Sequence, residues 1–124
     1  NALLDEVAPN IEVIFQYRGG PQDNLKVAEM AQFNTGERNR FAALYDISGG
    51  RGTLPQDWCS PMEGVRFGYA GGLKPENLEE QLAKVGSVVG DLTVYIDMES
   101  GVRTENEFDL GKARRCLELA SQQV

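Results

Sequence analysis

Four apolar runs of strand length alternate along the chain with segments in which apolar residues recur at helical spacing. Each run is rich in β-branched and aromatic residues and ends at a turn signal that contains glycine, which is typical of β-strands. Apolar residues follow one another in these runs instead of alternating with polar ones, which indicates strands covered on both faces of a parallel sheet. The predicted strands span residues 11–17, 41–47, 65–70 and 93–98.

Three further segments have the period of an amphipathic helix, and they span residues 24–33, 75–85 and 108–122. The second begins most clearly, because Pro75 and Glu76 place a proline and an acid in its first turn. The last has an apolar side formed by Leu110, Ala113, Leu117 and Ala120. Residues 56–64 are expected to form at most a turn or two of helix.

The predicted order is strand, helix, strand, short helix, strand, helix, strand, helix. Such alternation implies an α/β fold of four βα units with parallel strands and right-handed crossovers. The turn signals after the strands hold more glycine than those after the helices. Ligands of α/β proteins bind at the carboxyl ends of the strands, so these turns are expected to carry any site.

Charge and composition exclude several classes of function. The chain has 12 basic and 19 acidic residues, for a net charge of −7 at pH 7, which opposes a nucleic-acid surface. No apolar run reaches the ~20 residues of a membrane helix. Histidine is absent, so Ser-His-Asp and Cys-His catalysis are excluded within this chain. Cys59 and Cys116 lack metal-ligand spacing and are read as reduced thiols of a cytoplasmic protein.

Two glycine-rich loops follow the third and fourth predicted strands, and they contain Gly71-Gly72 and Ser100-Gly101. Glycines at a strand end let the backbone approach a ligand, and their N–H groups can face it. Two such loops on neighbouring strands, with a serine hydroxyl, form a cradle for a phosphate group. Either loop alone is more often only a turn, whereas the pair in one βα unit is much more specific.

A third motif follows the second predicted strand, with Asp46 near its carboxyl end and a glycine-rich loop at residues 49–52. A buried carboxyl at this position could act as a general acid. It could equally cap the loop that follows. The sequence leaves both alternatives open.

In the same order and at similar spacing, these segments resemble the last three strand-loop segments of the phosphoribosylanthranilate isomerase family. The matching residues are 44–46 (Leu-Tyr-Asp), 49–52 (Gly-Gly-Arg-Gly), 57–58 (Asp-Trp), 70–77 (Ala-Gly-Gly-Leu-Lys-Pro-Glu-Asn) and 97–102 (Asp-Met-Glu-Ser-Gly-Val). The resemblance spans about residue 11 to the C-terminus. It implies the C-terminal half of a (β/α)₈ barrel from tryptophan biosynthesis that catalyses an Amadori rearrangement with no metal or organic cofactor.

The resemblance also implies roles for particular residues. Asp46 would be the general acid that helps open the ribose ring. The substrate phosphate would be held by Gly71, Gly72, Ser100 and Gly101. Beside these residues, Gly50, Arg51, Asp97 and Arg103 lie at the same predicted strand ends and are candidates to bind the rest of the substrate.

The chain departs from the family pattern in several ways. Arg103 stands where the family has Glu, and Arg51 replaces a small residue. The general base of the family is a Cys on the first strand of the barrel. The four strands here match strands five to eight, so that Cys is not in this chain.

Residues 1–124 are expected to form one half-barrel domain, in which residues 1–10 hold a tag remnant and the end of a preceding helix. Four parallel strands do not close a barrel. The expected partner is therefore a second copy of the chain or a missing N-terminal half, together with a phosphorylated small-molecule ligand. Without an N-terminal half we expect no isomerase activity. The alternative function is a non-catalytic half-barrel that binds a phosphorylated ligand or a partner.

Overall fold

A computed structural model describes residues 11–34 and 40–123. The expectation for residues 1–10 lies outside these ranges. Strands and helices alternate along the described chain, and a short hairpin precedes the last helix. The elements are β1 (Val13–Tyr17), α1 (Pro21–Ala31), β2 (Phe41–Tyr45), β3 (Arg66–Tyr69), α2 (Pro75–Val89), β4 (Tyr95–Ile96), a 3₁₀ helix (Ser100–Val102), β5 (Arg103–Thr104), β6 (Glu107–Phe108) and α3 (Leu110–Ser121).

The first four strands form one parallel sheet in the order β1-β2-β3-β4. This arrangement confirms the predicted α/β class and its parallel strands. In the pairing register Tyr17 lies beside Tyr45, and Tyr45 lies beside Tyr69. Ile96 continues the same row on β4. The four strands therefore end at nearly the same level, and the loops that follow them meet at one edge of the sheet.

The core lies between the helices and the sheet face that carries this row. Val27 of α1 and Leu78 of α2 are buried against Tyr45, Phe67 and Tyr69. The aromatic rings meet mostly edge to face: the ring centroids of Phe67 and Tyr69, for example, lie 5.3 Å apart. Such geometry suits the quadrupoles of the rings. The packing of these aromatic residues thus holds the helices against the sheet.

The short helix expected within residues 56–64 is absent, and that prediction is wrong. Pro55 precedes the segment and Pro61 lies within it, and proline removes a helical donor and disfavours helix in the residue before it. The segment instead crosses the sheet as an irregular loop. The hydroxyls of Tyr45 and Tyr69 donate to the carbonyls of Asp57 (3.3 Å) and Cys59 (2.7 Å).

Trp58 attaches the same loop to the core. Its ring is buried against Tyr45 and Tyr69. Its indole N–H donates to the side-chain oxygen of Gln81 on α2 at 2.9 Å. The loop thus occupies the place of the missing helix and links the sheet to α2.

Two details of the C-terminal part differ from the sequence-based prediction. The last helix begins at Leu110 rather than at residue 108, because the side chain of Asp109 accepts the amide of Lys112 and caps the helix. Strands β5 and β6 form a hairpin before it. Its turn residues Glu105 and Asn106 both have positive φ, the conformation of a type I′ turn.

The buried side of α3 is not the apolar side read from the sequence. Cys116 and Leu119 are buried, whereas Leu110 and Leu117 are 75% and 73% exposed. One residue of an α-helix turns by ~100°, so Leu117 lies on a flank of α3 beside the buried face. That flank is unpartnered within the described residues.

The opposite face of the sheet, away from the helices, is partly covered by Tyr95. Its hydroxyl donates to the carbonyl of Ala43 at 2.9 Å. The ring lies so close to Gly68 that a Cβ there would come within 2.2 Å of it. Arg66 packs over the ring at 5.2 Å from its centroid and pairs with Glu12 at 3.2 Å. Gly68 thus makes room for an aromatic cover on this face.

The link between Trp58 and Gln81 yields a stability prediction. We expect Trp58→Phe to lower the free energy of unfolding by about 1–3 kcal/mol, because the buried oxygen of Gln81 loses its donor. Adding Gln81→Leu should restore part of this loss, since no buried polar atom then lacks a partner. Urea unfolding followed by circular dichroism measures both variants.

The control is Leu25→Ala on the exposed side of α1, which should change the stability by less than about 0.5 kcal/mol. If Trp58→Phe were as stable as the parent, the hydrogen bond would not be what holds the loop to α2.

Candidate functional site

A cavity of about 250 Å³ lies at the carboxyl ends of β2, β3 and β4. Its walls come from the loops that follow these three strands. Every candidate site residue identified in the sequence lines it: Asp46, Gly50, Arg51, Gly71, Gly72, Asp97, Ser100, Gly101 and Arg103. Three motifs that are far apart in the chain thus form one concave surface. The common level of the strand ends is what brings them together.

Asp46 is buried and caps the loop after β2. One carboxylate oxygen accepts the amide (3.1 Å) and the hydroxyl (2.5 Å) of Ser48. The other accepts the amide of Gly50 at 3.1 Å. Both oxygens therefore act as acceptors within the loop. The structure shows the capping role that the sequence left open, and the same residue also borders the cavity.

The loop after β3 is tightly packed against the loop after β2. A Cβ on Gly71 would lie 2.9 Å from the carbonyl oxygen of Thr53, and one on Gly72 would lie 2.5 Å from the amide nitrogen of Leu54. Both glycines have positive φ (116° and 70°), which side chains rarely adopt. Glycine is therefore required here by backbone packing, whether or not a ligand binds.

The loop after β4 packs in the same way. A Cβ on Gly101 would lie 1.8 Å from the carbonyl oxygen of Leu73. The hydroxyl oxygen of Ser100 would lie 2.9 Å from a Cβ on Gly52. Glycines at these positions thus let all three loops approach one another, and the cavity is the space that remains between them.

Several backbone donors remain available at the cavity. The amides of Gly71, Gly72, Ser100 and Gly101 donate to no acceptor within residues 11–34 and 40–123. Two of these amides, from Ser100 and Gly101, open the 3₁₀ helix, whose first N–H groups have no partner within the helix. Together with the Ser100 hydroxyl, they offer donors to an anion.

The charged groups of the cavity are of both signs. Arg103 pairs with Glu99 at 3.2 Å, and both side chains are largely exposed. Arg51 donates from Nε to the carbonyl of Ser48 at 2.8 Å, which holds its guanidinium beside the glycine-rich loop. Asp97 has no side-chain partner within the described ranges. The site therefore combines two cations and several amides with the carboxylates of Asp46, Asp97 and Glu99.

Sequence reasoning missed three contributors. Glu99 and Gly52 line the cavity, and both stand inside the motifs quoted above, so proximity to Ser100 and Arg51 could have indicated them. Arg18, at the end of β1, lies beside the loop after β2: a Cβ on Gly49 would come within 2.7 Å of its guanidinium. No sequence signal joined Arg18 to that loop.

Neither cysteine lines the cavity. Cys59 lies in the loop that crosses the helix side of the sheet, and Cys116 is buried in α3. Burial raises the pKa of the Cys59 thiol to about 11 and also raises the pKa of Cys116. Thiolates are the reactive form, so both residues are packing groups at neutral pH rather than a general base.

Metal and membrane features are absent from the part of the chain that the structure describes. Histidine, cysteine and acidic side chains form no cluster there that could hold a metal ion. No helix among those residues is both long and apolar enough to cross a membrane.

Comparison with known proteins gave no match: no family model fits the chain, and no curated protein or solved structure is significantly similar to it. The resemblance to the isomerases rests on the motifs quoted above.

The packing of the loops can be tested with two Gly→Ala variants. Gly101→Ala should lower the free energy of unfolding by about 1–3 kcal/mol, because the new Cβ meets the backbone of Leu73 and forces two loops apart. Gly86→Ala in α2 should raise it by about 0.5–1 kcal/mol, because alanine favours helix and no atom lies within 4 Å of the new Cβ.

Chemical denaturation of both variants and of the parent measures these changes in the free energy of unfolding. A Gly101→Ala variant as stable as the parent would contradict the close approach of the loops after β3 and β4.

Proposed function

We propose that the chain is the C-terminal half of a (β/α)₈ barrel of the phosphoribosylanthranilate isomerase type, and that its cavity binds a phosphorylated sugar-type molecule. The observation that carries the proposal is the convergence of three motifs on one cavity at the strand ends. In such barrels the common phosphate site lies in the loops after the last two strands. Those loops correspond here to the ones after β3 and β4.

The phosphate group would lie between the amides of Gly71, Gly72, Ser100 and Gly101. Phosphate oxygens accept several hydrogen bonds at once, and backbone N–H groups at glycine turns suit them. Arg103 supplies a planar fork of donors that matches phosphate geometry. Its present partner, Glu99, is exposed, so the exchange of that carboxylate for a phosphate costs little.

The carboxylates favour a sugar rather than a simple anion. Three acidic groups beside two arginines would repel a ligand that offered negative charge over its whole surface. Hydroxyl groups, in contrast, donate readily to carboxylates. Asp97 has free acceptor oxygens within the described chain and stands next to the loop that would hold the phosphate. A phosphorylated polyol offers a phosphate group to the amides and hydroxyl groups to the carboxylates.

Catalysis would require groups beyond this chain. Asp46 would serve as the general acid in the complete barrel, but a proton donor needs a base to complete the rearrangement. The two thiols lie outside the cavity. We therefore propose that the chain binds its ligand in the cytoplasm and does not turn it over alone.

A second candidate is a binding module without catalysis. The engagement of Asp46 in its own loop favours this reading, because its oxygens accept three hydrogen bonds from Ser48 and Gly50, whereas a general acid must present a proton to its substrate. Turnover of phosphoribosylanthranilate after addition of a matching N-terminal half would separate the two. The same mixture made with Asp46→Asn would show whether that turnover depends on the carboxyl group.

The binding prediction can be tested by calorimetric titration with ribose 5-phosphate. We expect saturable binding that weakens as the salt concentration rises. Arg103→Gln should weaken it at least ~10-fold, since it removes a charged donor worth about 1.5–3 kcal/mol and leaves Glu99 unpaired.

The matched control is Arg115→Gln on α3, which likewise removes an arginine that pairs with a glutamate. That variant should bind as the parent does. Equal affinity in all three proteins, or no binding in any, would reject this cavity as the phosphate site.

A further inference from the structure

The sheet has two open edges. Among the described residues β1 pairs only with β2, and β4 pairs only with β3. The outer backbone groups of both strands therefore lack partners in the sheet, and such groups pair readily with another chain. All four strands are parallel, so a fifth strand beside β4 could continue the sheet in the same direction.

Exposed apolar side chains lie beside both edges of the sheet. On the β4 side, Leu110 and Leu117 lie exposed on the flank of α3. A cavity of about 550 Å³ lies between α2, β4 and the end of α3, and its wall includes Leu82, Val94 and Ile96. On the β1 side, Ile11 and Ile14 are 53% and 51% exposed. A strand and a helix placed beside β4 would cover the exposed leucines and the cavity on the β4 side. Closure of the sheet would cover Ile11 and Ile14 on the β1 side.

We propose that a second copy of this chain covers these surfaces, with its β1 paired in parallel to β4. A twofold axis then repeats the contact, so that four strands from each copy, eight in total, close into one ring. Eight tilted strands form a barrel whose interior side chains can fill it. The interface as a whole is isologous, because the β4 side of each copy meets the β1 side of the other and the twofold rotation relates the two contacts.

The size of the contact suits a stable dimer. A five-residue strand such as β1 is ~17 Å long. On the other side β4 has only two residues, so the length comes from α3 beside it, whose 12 residues span ~18 Å. A sheet with a helix layer ~10 Å thick is about 20 Å deep. Each side then presents about 340 Å². Two contacts with two surfaces each would bury about 1,400 Å², within the ~1,200–2,000 Å² of specific interfaces.

Charge complementarity favours the same partner. The carboxyl end of β1 carries Arg18, whose side chain pairs with no acid in the described ranges. In the dimer the carboxyl end of β1 from the second copy lies beside that of β4. Arg18 of the second copy, whose guanidinium lies beside the loop after its own β2, would then share the rim of strand ends with Asp97 and Glu99, where it adds a cation to the acidic side of the cavity. Only this last step rests on the proposed function.

Three charge substitutions test the assembly without any ligand. Ile14→Glu alters the β1 side and Leu117→Glu alters the β4 side, and we expect either to convert a dimer into a monomer at micromolar concentration. Leu25→Glu is the control, because it adds the same charge at an exposed leucine on the outer surface of α1. It should remain dimeric. Light scattering gives the mass, and circular dichroism shows that each variant is folded.

Mixing the two monomeric variants gives the sharpest result. Each mixed pair has one unaltered contact, formed by the β4 side of Ile14→Glu and the β1 side of Leu117→Glu, so dimers should reappear. An antiparallel β1–β1 contact would instead leave Leu117→Glu dimeric, and it would overturn the proposal. A monomeric parent, or no dimers on mixing, would overturn it as well.

Finally, Arg18→Gln should weaken binding of ribose 5-phosphate in the dimer several-fold. If the dimer formed as expected but no ligand bound to it or to its Arg18→Gln variant, the proposed function would fail while the assembly stood. If ligand bound the parent and Arg18→Gln equally, the placement of Arg18 would be wrong.

Discussion

Tyr17, Tyr45 and Tyr69 lie side by side at the carboxyl ends of three parallel strands. The ring centroids of neighbouring tyrosines are 6.2 and 6.1 Å apart. Each hydroxyl holds a different segment: Tyr17 donates to Asn24, Tyr45 to the carbonyl of Asp57, and Tyr69 to that of Cys59. Burial raises the pKa of all three phenols, which keeps them protonated and able to donate. This row sets the common level from which the site loops begin.

The three loops that follow these strands hold one another in place. Asp46 fixes the loop after β2 by accepting three hydrogen bonds, and that loop packs against Gly71 and Gly72. The loop after β3 in turn leaves no space for a side chain at Gly101. A glycine motif that resembles a phosphate cradle is thus also a packing requirement. The two roles are compatible, because close packing is what holds the amide donors in place before any ligand arrives.

Much of this arrangement could be predicted from the sequence. Continuous apolar runs separated by helical periods indicate parallel strands, and glycine turns at their ends indicate where loops meet. The location of Asp46, Gly71 and Ser100 on one cavity followed from those two facts. The hydrogen bonds that both oxygens of Asp46 accept could not be predicted, because an aspartate before a glycine-rich loop can equally be a loop cap or a general acid.

Other features depend on contacts that no local pattern reveals. Residues 56–64 have the length of a short helix, but two prolines and the hydroxyls of Tyr45 and Tyr69 favour an irregular crossing. The hairpin before α3 has Glu105 and Asn106 in its turn, without the glycine that usually signals one. The predicted apolar stripe of α3 is only partly exposed: Leu110 and Leu117 lie on the exposed flank, while Ala113 and Ala120 are half-buried. Periodicity alone does not show which side of such a stripe the core covers.

We propose that loops from separate strands form one anion site. A titration of ¹⁵N-labelled protein with inorganic phosphate, against chloride at equal ionic strength, tests it most directly. We expect saturable shifts of the amide signals of Gly71, Gly72, Ser100 and Gly101, all with one dissociation constant. Amide shifts that appear elsewhere, that fit different constants for the two loops, or that chloride reproduces would contradict it.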